Sequence, residues 1–159
     1  MTQDLVAALP YLAHQALFGA VAAAGFGVLF NFGGRALIWC TLAGALALAI
    51  RTVSQKSGVS LEAATFLAAI GTSCVAILAR RWLGPACNAI ALAGCIPMVP
   101  GAFFGQAMLG YMAVAADTSG QSVGQLVASA QAFIRVVSIV GAIGAGLAIP
   151  AYLLRSRQF

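Results

Sequence analysis

The chain has 159 residues, of which 62% are hydrophobic and 7% charged, and its formal net charge is +5. Ordinary soluble domains carry about 25% charged residues, so this composition, with a mean hydropathy of +1.01, excludes a soluble fold and specifies an integral membrane protein. The basic residues are too few and too scattered to form a nucleic-acid surface; they sit between apolar segments as topology signals. No linker is visible, so residues 1–159 read as one transmembrane domain.

A helix needs about 20 apolar residues to cross the hydrocarbon core. The first predicted span runs from Tyr11 to Phe30, with Pro10 suited to its first turn. Met1 to Pro10 contains Asp4 and no Lys or Arg, so the positive region of a secretory signal is missing and the first apolar segment is expected to remain as a span. The turn Asn31-Phe32-Gly33-Gly34-Arg35 leads to a second span from Ala36 to about Val53, where Arg51 can snorkel outward. The third runs from Leu61 to Ala79, with Ser60 as N-cap and Glu62 at the positive end of the helix. Trp82 beside Arg80 and Arg81 reads as an interfacial anchor. The last span runs from about Gln131 to Leu154, with Pro150 near its end.

Between the third and last spans lie the 33 residues from Gly84 to Ala116. As one straight helix they would reach about 50 Å, too long for one span and short for two with a connection. Near the middle stands Ile96-Pro97-Met98-Val99-Pro100-Gly101. Proline removes a backbone donor and clashes with the preceding turn, so no straight helix continues through this block. In lipid, a broken helix is tolerated only where its freed backbone groups meet protein or a water-filled cavity. Many transporters build a substrate or ion site from such a break. A helix beginning at Gly101 would present free N–H groups and a positive dipole end to a carboxylate. Carbonyls freed at Ile96 and its neighbours would suit an ammonium or a water carrying a proton.

Positive charge favours the cytoplasmic side. Five spans with the N-terminus outside and the C-terminus in the cytoplasm place Arg35, Arg80, Arg81, Arg155 and Arg157 inside, against Arg51 and Lys56 outside. Six spans give a weaker bias. The expected fold is therefore an all-α membrane protein of about five transmembrane helices, with a Pro/Gly-broken segment at 96–101.

Glycine occurs 18 times, mostly within predicted helices. In lipid, small residues let helix backbones approach closely. Gly19, Gly25 and Gly27 mark the first span; Gly101 and Gly105 follow the break; Gly141, Gly144 and Gly146 mark the last span. Such faces serve packing within the chain, a partner-binding face or a sliding surface, and spacing alone does not separate these. No internal repeat is visible; many transporters are built from two related halves, and a chain this small would supply only one of them, with an oligomer or a second subunit supplying the rest.

Few residues carry chemistry. The acids are Asp4, Glu62 and Asp117, and no two share a close helical spacing, which argues against two-carboxylate hydrolysis and an all-protein metal site. The spacings of Cys40, Cys74, Cys87 and Cys95 match no metal or redox pattern, and His14 stands alone. No phosphate loop is present. The reading is therefore not an enzyme, with no metal and no cofactor. Polar side chains at membrane depth face the bundle or a cavity. Asn31 and Arg35 flank the inner turn, where Arg35 could hold a carboxylate or simply mark topology. Asn88 and Gln106 either line a polar path beside the break or hydrogen-bond between helices. Asp117 begins a polar turn and serves either as a loop residue or in a proton relay. The predicted substrate or ion path is thus Asn31, Arg35, Asn88, Pro97, Pro100, Gly101, Gln106 and Asp117, with Arg35 or Arg135 as a second cationic contact if the solute is a dicarboxylate.

The stretch Phe30-Asn31 with Arg35-Ala36-Leu37-Ile38-Trp39-Cys40, the segment Ala64-Thr65-Phe66-Leu67-Ala68 and above all Ile96-Pro97-Met98-Val99-Pro100-Gly101 resemble the threonine/serine exporter family. The likeness covers about Leu17 to Leu154 and is closest to the small membrane subunit, equivalent to the C-terminal half, of exporters split over two chains. The resemblance implies secondary export across the bacterial inner membrane, driven by the proton motive force. It implies L-threonine and L-serine as substrates, with succinate as the alternative, and a larger subunit carrying the other membrane half. The expected surroundings are the larger subunit, further copies of the chain as a homo-oligomer, and the lipid bilayer; the remaining alternative function is a non-transporting scaffold for the larger subunit.

Overall fold

The computed structural model describes residues 2–78, 80, 84, 87–117 and 122–155. Among them there is no strand. The helices are α1 (Thr2–Leu29), α2 (Gly34–Lys56), α3 (Leu61–Leu78), α4 (Cys87–Cys95), α5 (Gly101–Ala116) and α6 (Val123–Arg155), and a 3₁₀ turn (Ile96–Met98) follows α4. The all-α membrane architecture expected from the sequence is the one adopted.

Leu9–Leu29, Gly34–Lys56 and Val123–Leu153 are each long and apolar enough to cross a membrane. Cys87–Met98 and Gly101–Ala116 pass that test only as a pair, as a broken span or a re-entrant loop. Leu61–Ile77 is a shorter apolar helix, just under the ~20 residues that a 30 Å core requires, so among the described residues three helices, or four with the broken pair as one span, meet the length for a span, against the five expected. Helices α1 and α6 begin earlier than expected, and α2 extends at both ends, Gly34–Lys56 against Ala36 to about Val53. Helix α1 begins at Thr2, so Pro10 lies inside it. Pro10 forgoes one helical bond, but nothing else from Thr2 to Leu9 opposes a helix, since Gln, Leu and Ala are good formers. Helix α6 begins eight residues before Gln131, where the Leu126 N–H takes the Ser122 carbonyl at 2.9 Å. Trp82, Arg81 and Arg157, assigned from sequence to the membrane boundary, lie outside the described residues.

The chain divides into two compact units, Met1–Met98 with Ala142–Phe159, and Val99–Gly141. In the first, α1 and α2 pack antiparallel through their smallest residues. A Cβ on Gly44 would run into Ala23 and the Gly19 carbonyl. One on Gly27 would lie 2.8 Å from Leu37 and 3.3 Å from the Cys40 sulfur. This close approach lets Cys40 Sγ donate to the Ala23 carbonyl at 3.1 Å. At the far end of the pair, the Lys56 ammonium lies 4.7 Å over the Tyr11 ring, a cation–π contact.

Helix α4 runs alongside α2 in the same direction: a Cβ on Gly94 would meet Ala43 at 2.6 Å, and Met98, one turn further, meets Arg51. Helix α3 presents Gly71 to Ile50. The last part of α6 docks on α3, with Gly146 against Ala69 and the Phe66 carbonyl, and the Ser73 hydroxyl donating to the Leu147 carbonyl at 3.1 Å. The small-residue positions are used selectively. Among the described residues, nothing lies within 4 Å of a Cβ built on Gly25, Gly101, Gly105, Gly141 or Gly144. In the second unit, Gly110 of α5 faces Ser129 of α6, and the Ser129 hydroxyl returns its proton to the Gln125 carbonyl at 2.7 Å.

Candidate functional site

The proline block breaks the chain in two steps. After α4, Ile96–Met98 tightens into a 3₁₀ turn. Pro97 has no N–H to give to Ala93, and Pro100 none to give to Ile96, so the α-helical ladder cannot continue. Pro100 then adopts φ −82° and ψ 63°, and the Gly101 N–H bonds across it to the Val99 carbonyl at 2.9 Å. This is an inverse γ-turn. Helix α5 takes hold when the Phe104 N–H reaches the Pro100 carbonyl at 3.1 Å. The expectation of a free amide at Gly101 is therefore corrected, because the turn itself consumes that donor. The Ala102 and Phe103 amides precede the first helical bond instead.

The freed carbonyls are also treated differently from expectation. Met98 is fully buried, and its carbonyl accepts from Arg51 Nη1 at 3.3 Å. Arg51 does not turn outward. Helix α2 continues beyond it to Lys56, and the half-buried Arg51 side chain is turned to the Met98 carbonyl. Pro97 is half-buried, Pro100 buried and Gly101 exposed.

In the second unit, Phe103 and Gln106 of α5 and Ala128, Gln131, Ala132 and Arg135 of α6 line a cleft of about 350 Å³. The spacing produces it: 103 and 106 share one face of α5, and 128, 131, 132 and 135 share one face of α6. The two alanines leave the space, and the polar side chains edge it. The Arg135 guanidinium lies 5.2 Å over the Phe103 ring, a stacked position that the planar group favours. Gln106, Gln131 and Arg135 are exposed on the chain's own surface. Arg135 lies 12 residues into α6, about 18 Å along its axis. A guanidinium offers five donors and matches a carboxylate bidentately, while a carboxamide offers both donors and an acceptor. The cleft can therefore hold a carboxylate and leave amide oxygens for an ammonium or hydroxyl.

Of the residues predicted from sequence, Gln106 and Arg135 line this cleft. Asn31 and Arg35 share the turn between α1 and α2. Asn31 has φ 55°, its N–H bonds to the Val28 carbonyl at 2.9 Å and that of Phe32 to Gly27 at 3.0 Å. These are the two bonds of a Schellman motif with Asn in the left-handed position, so Asn31 has a structural reason to be there. Arg35 is exposed in the first turn of α2. Asn88 is exposed on the first turn of α4, its amide oxygen 3.6 Å from the Cys87 sulfur. Asp117 caps the end of α5, its N–H 3.3 Å from the Val114 carbonyl. A separate cavity of about 150 Å³, lined by residues such as Trp39, Leu46, Val75 and Ile90, is apolar and offers a charged solute nothing.

Sequence reasoning missed three contributions: Arg51 at the break, Gln131, and Phe103 beneath Arg135. A signal existed for two of them. Gln131 and Arg135 are four apart in a helix, one polar stripe in an apolar segment, and Phe103 stands three residues before Gln106.

No solved structure matches the chain. The family described as "Threonine/Serine exporter, ThrE" matches residues 15–153, which takes in the α1–α2 turn, the proline break and the polar cleft. The chain thus belongs to the threonine/serine exporter family, a family of multi-pass membrane transporters.

Proposed function

We propose that the chain is the small membrane subunit of a split secondary exporter of small carboxylate-bearing solutes, with L-threonine and L-serine as its substrates. It works in the bacterial inner membrane, N-terminus outside and C-terminus in the cytoplasm, and the proton motive force drives it. A larger subunit supplies the other membrane half. Alternating access proceeds around the proline break.

The observation that carries this reading is the cleft edged by Gln106, Gln131 and Arg135. Polar groups at membrane depth are costly unless they meet protein, water or solute. All three are exposed on the surface of the chain, where the larger subunit would cover them. One guanidinium lines the cleft, which suits one carboxylate. The amide oxygens of Gln106 and Gln131 suit an ammonium or a hydroxyl. A dicarboxylate would need a second cation, and no other lining residue provides one, so an amino acid fits better than succinate.

The test is efflux of labelled threonine and labelled succinate from preloaded cells. Cells lacking both subunits are compared with cells expressing this chain, the larger subunit, or both. Threonine efflux that needs both chains is the expected result. Succinate efflux instead moves the substrate to dicarboxylates. No gain for either solute, with both proteins found in the membrane, leaves the chain as a scaffold and overturns the exporter reading.

A further inference from the structure

The Arg51–Met98 contact joins a charged side chain to the proline break. Within a continuous helix, the Met98 carbonyl would accept from the Ala102 or Gly101 N–H. Here the Gly101 N–H is committed to Val99, and the donor that reaches Met98 is Arg51 Nη1. Buried carbonyls are almost always paired, so the guanidinium stands in for the missing helical donor. Its position follows from the packing below it. Gly94 lets α4 come against Ala43 and Gly44, which brings Met98 level with the second half of α2 and within reach of Arg51.

The contact is also incomplete. Among the described residues, the buried Arg51 Nε has no hydrogen-bond partner. A buried donor on a charged group that stays unsatisfied opposes the arrangement that buries it. Arg51 therefore favours this geometry through Nη1 and opposes it through Nε. A residue balanced in this way can hold a segment and still release it, which a fully satisfied one does less readily.

We propose that Arg51 is a positioning residue of the transport cycle: its guanidinium holds the proline break by the Met98 carbonyl in one state and lets it go in the other. This rests on the exporter reading above. The role differs from topology marking, which any exposed cation serves, and from solute binding, because the bonded nitrogen faces a backbone carbonyl.

Two readouts test it. In the purified full chain in lipid nanodiscs, hydrogen exchange is followed over residues 96–104, with 61–77 as the fold control. Arg51→Met keeps much of the length and apolar stem but has no donor, and is expected to speed exchange at the break about ten-fold, the loss of one charge-assisted bond. Arg51→Lys, which still donates to one carbonyl, is expected to stay near the wild type. In cells with both subunits, Arg51→Met is expected to lower the maximal efflux rate about ten-fold at an unchanged half-saturating concentration, and Arg51→Lys to recover most of it. Unchanged exchange at the break in Arg51→Met overturns the proposal. So does exchange raised equally at 61–77, which signals general unfolding. A changed half-saturating concentration with the rate intact overturns it too, since that is the mark of a solute contact. If the wild-type pair exports neither threonine, serine nor succinate, the exporter reading fails by itself, while the exchange comparison still decides whether Arg51 holds the break.

Discussion

Replacing Arg135 with Met is expected to raise the half-saturating solute concentration for efflux about ten- to a hundred-fold, the worth of one hydrogen-bonded charge at about 1.5–3 kcal/mol. The reason is local. Arg135 is the cation lining the α5–α6 cleft, and the carboxamides of Gln106 and Gln131 carry no charge to replace it. Insertion is not expected to suffer. An arginine within a spanning helix is disfavoured on insertion scales, by about 2.5–3.5 kcal/mol at most, at its centre, so Met is the easier residue for the membrane. Arg135→Lys is expected to recover part of the affinity, because an ammonium supplies charge without the planar fork or the stacked position over Phe103. The measurement is efflux against internal threonine concentration, with protein levels checked in the membrane fraction. Wild-type efflux from Arg135→Met would remove the cleft as the solute site. The contrast with Arg51 is diagnostic, since one variant is expected to move affinity and the other the maximal rate.

Gly44→Ala is expected to be the most damaging single methyl in the first unit. Its Cβ would enter space held by Ala23 Cβ and the Gly19 carbonyl. Neither is the end of a flexible side chain, so α1 and α2 must part. Overpacking of this kind costs about 1–3 kcal/mol, and the parting also strains the Cys40–Ala23 bond. Gly25→Ala is the matched control. It adds the same methyl to α1 where nothing lies within 4 Å, and it exchanges a poor helix former for the best one. In detergent, the thermal midpoint is expected to fall for Gly44→Ala and to hold or rise for Gly25→Ala. Equal midpoints would mean that the α1–α2 contact contributes little to the fold.

The apolar segments and the break were legible because each has a strong local cause: runs of apolar residues for the first, and two prolines with a glycine for the second. The ends of α1 and α6 were not. Pro10 was read as a start signal, yet a proline removes one bond and a good helical sequence before it carries on. Before Gln131, no proline interrupts Val123 to Ala130, so α6 simply starts sooner. Arg51 was read as an outward cation because burial is a property of neighbours. Only when Gly94 admits α4 against α2 does the Met98 carbonyl arrive beside it. The same holds for the cleft. The four-residue spacing of Gln131 and Arg135 shows a shared face, but that Phe103 and Gln106 meet this face depends on how α5 packs against α6 at Gly110 and Ser129. The free amide expected at Gly101 was misplaced because a γ-turn, which joins residues two apart, leaves little trace in sequence.

The turn after α1 changes how variants there should be understood. Asn31 sits at φ 55°, where a residue with a Cβ pays about 1–2 kcal/mol unless it is Asn or Asp, and glycine pays almost nothing. Handedness therefore filters position 31 before polarity does. Loss of export in Asn31→Ala would mix a misshapen hairpin with a missing amide, and only a glycine at that site, with the backbone at ease and the amide gone, tells an architect's residue from a chemist's.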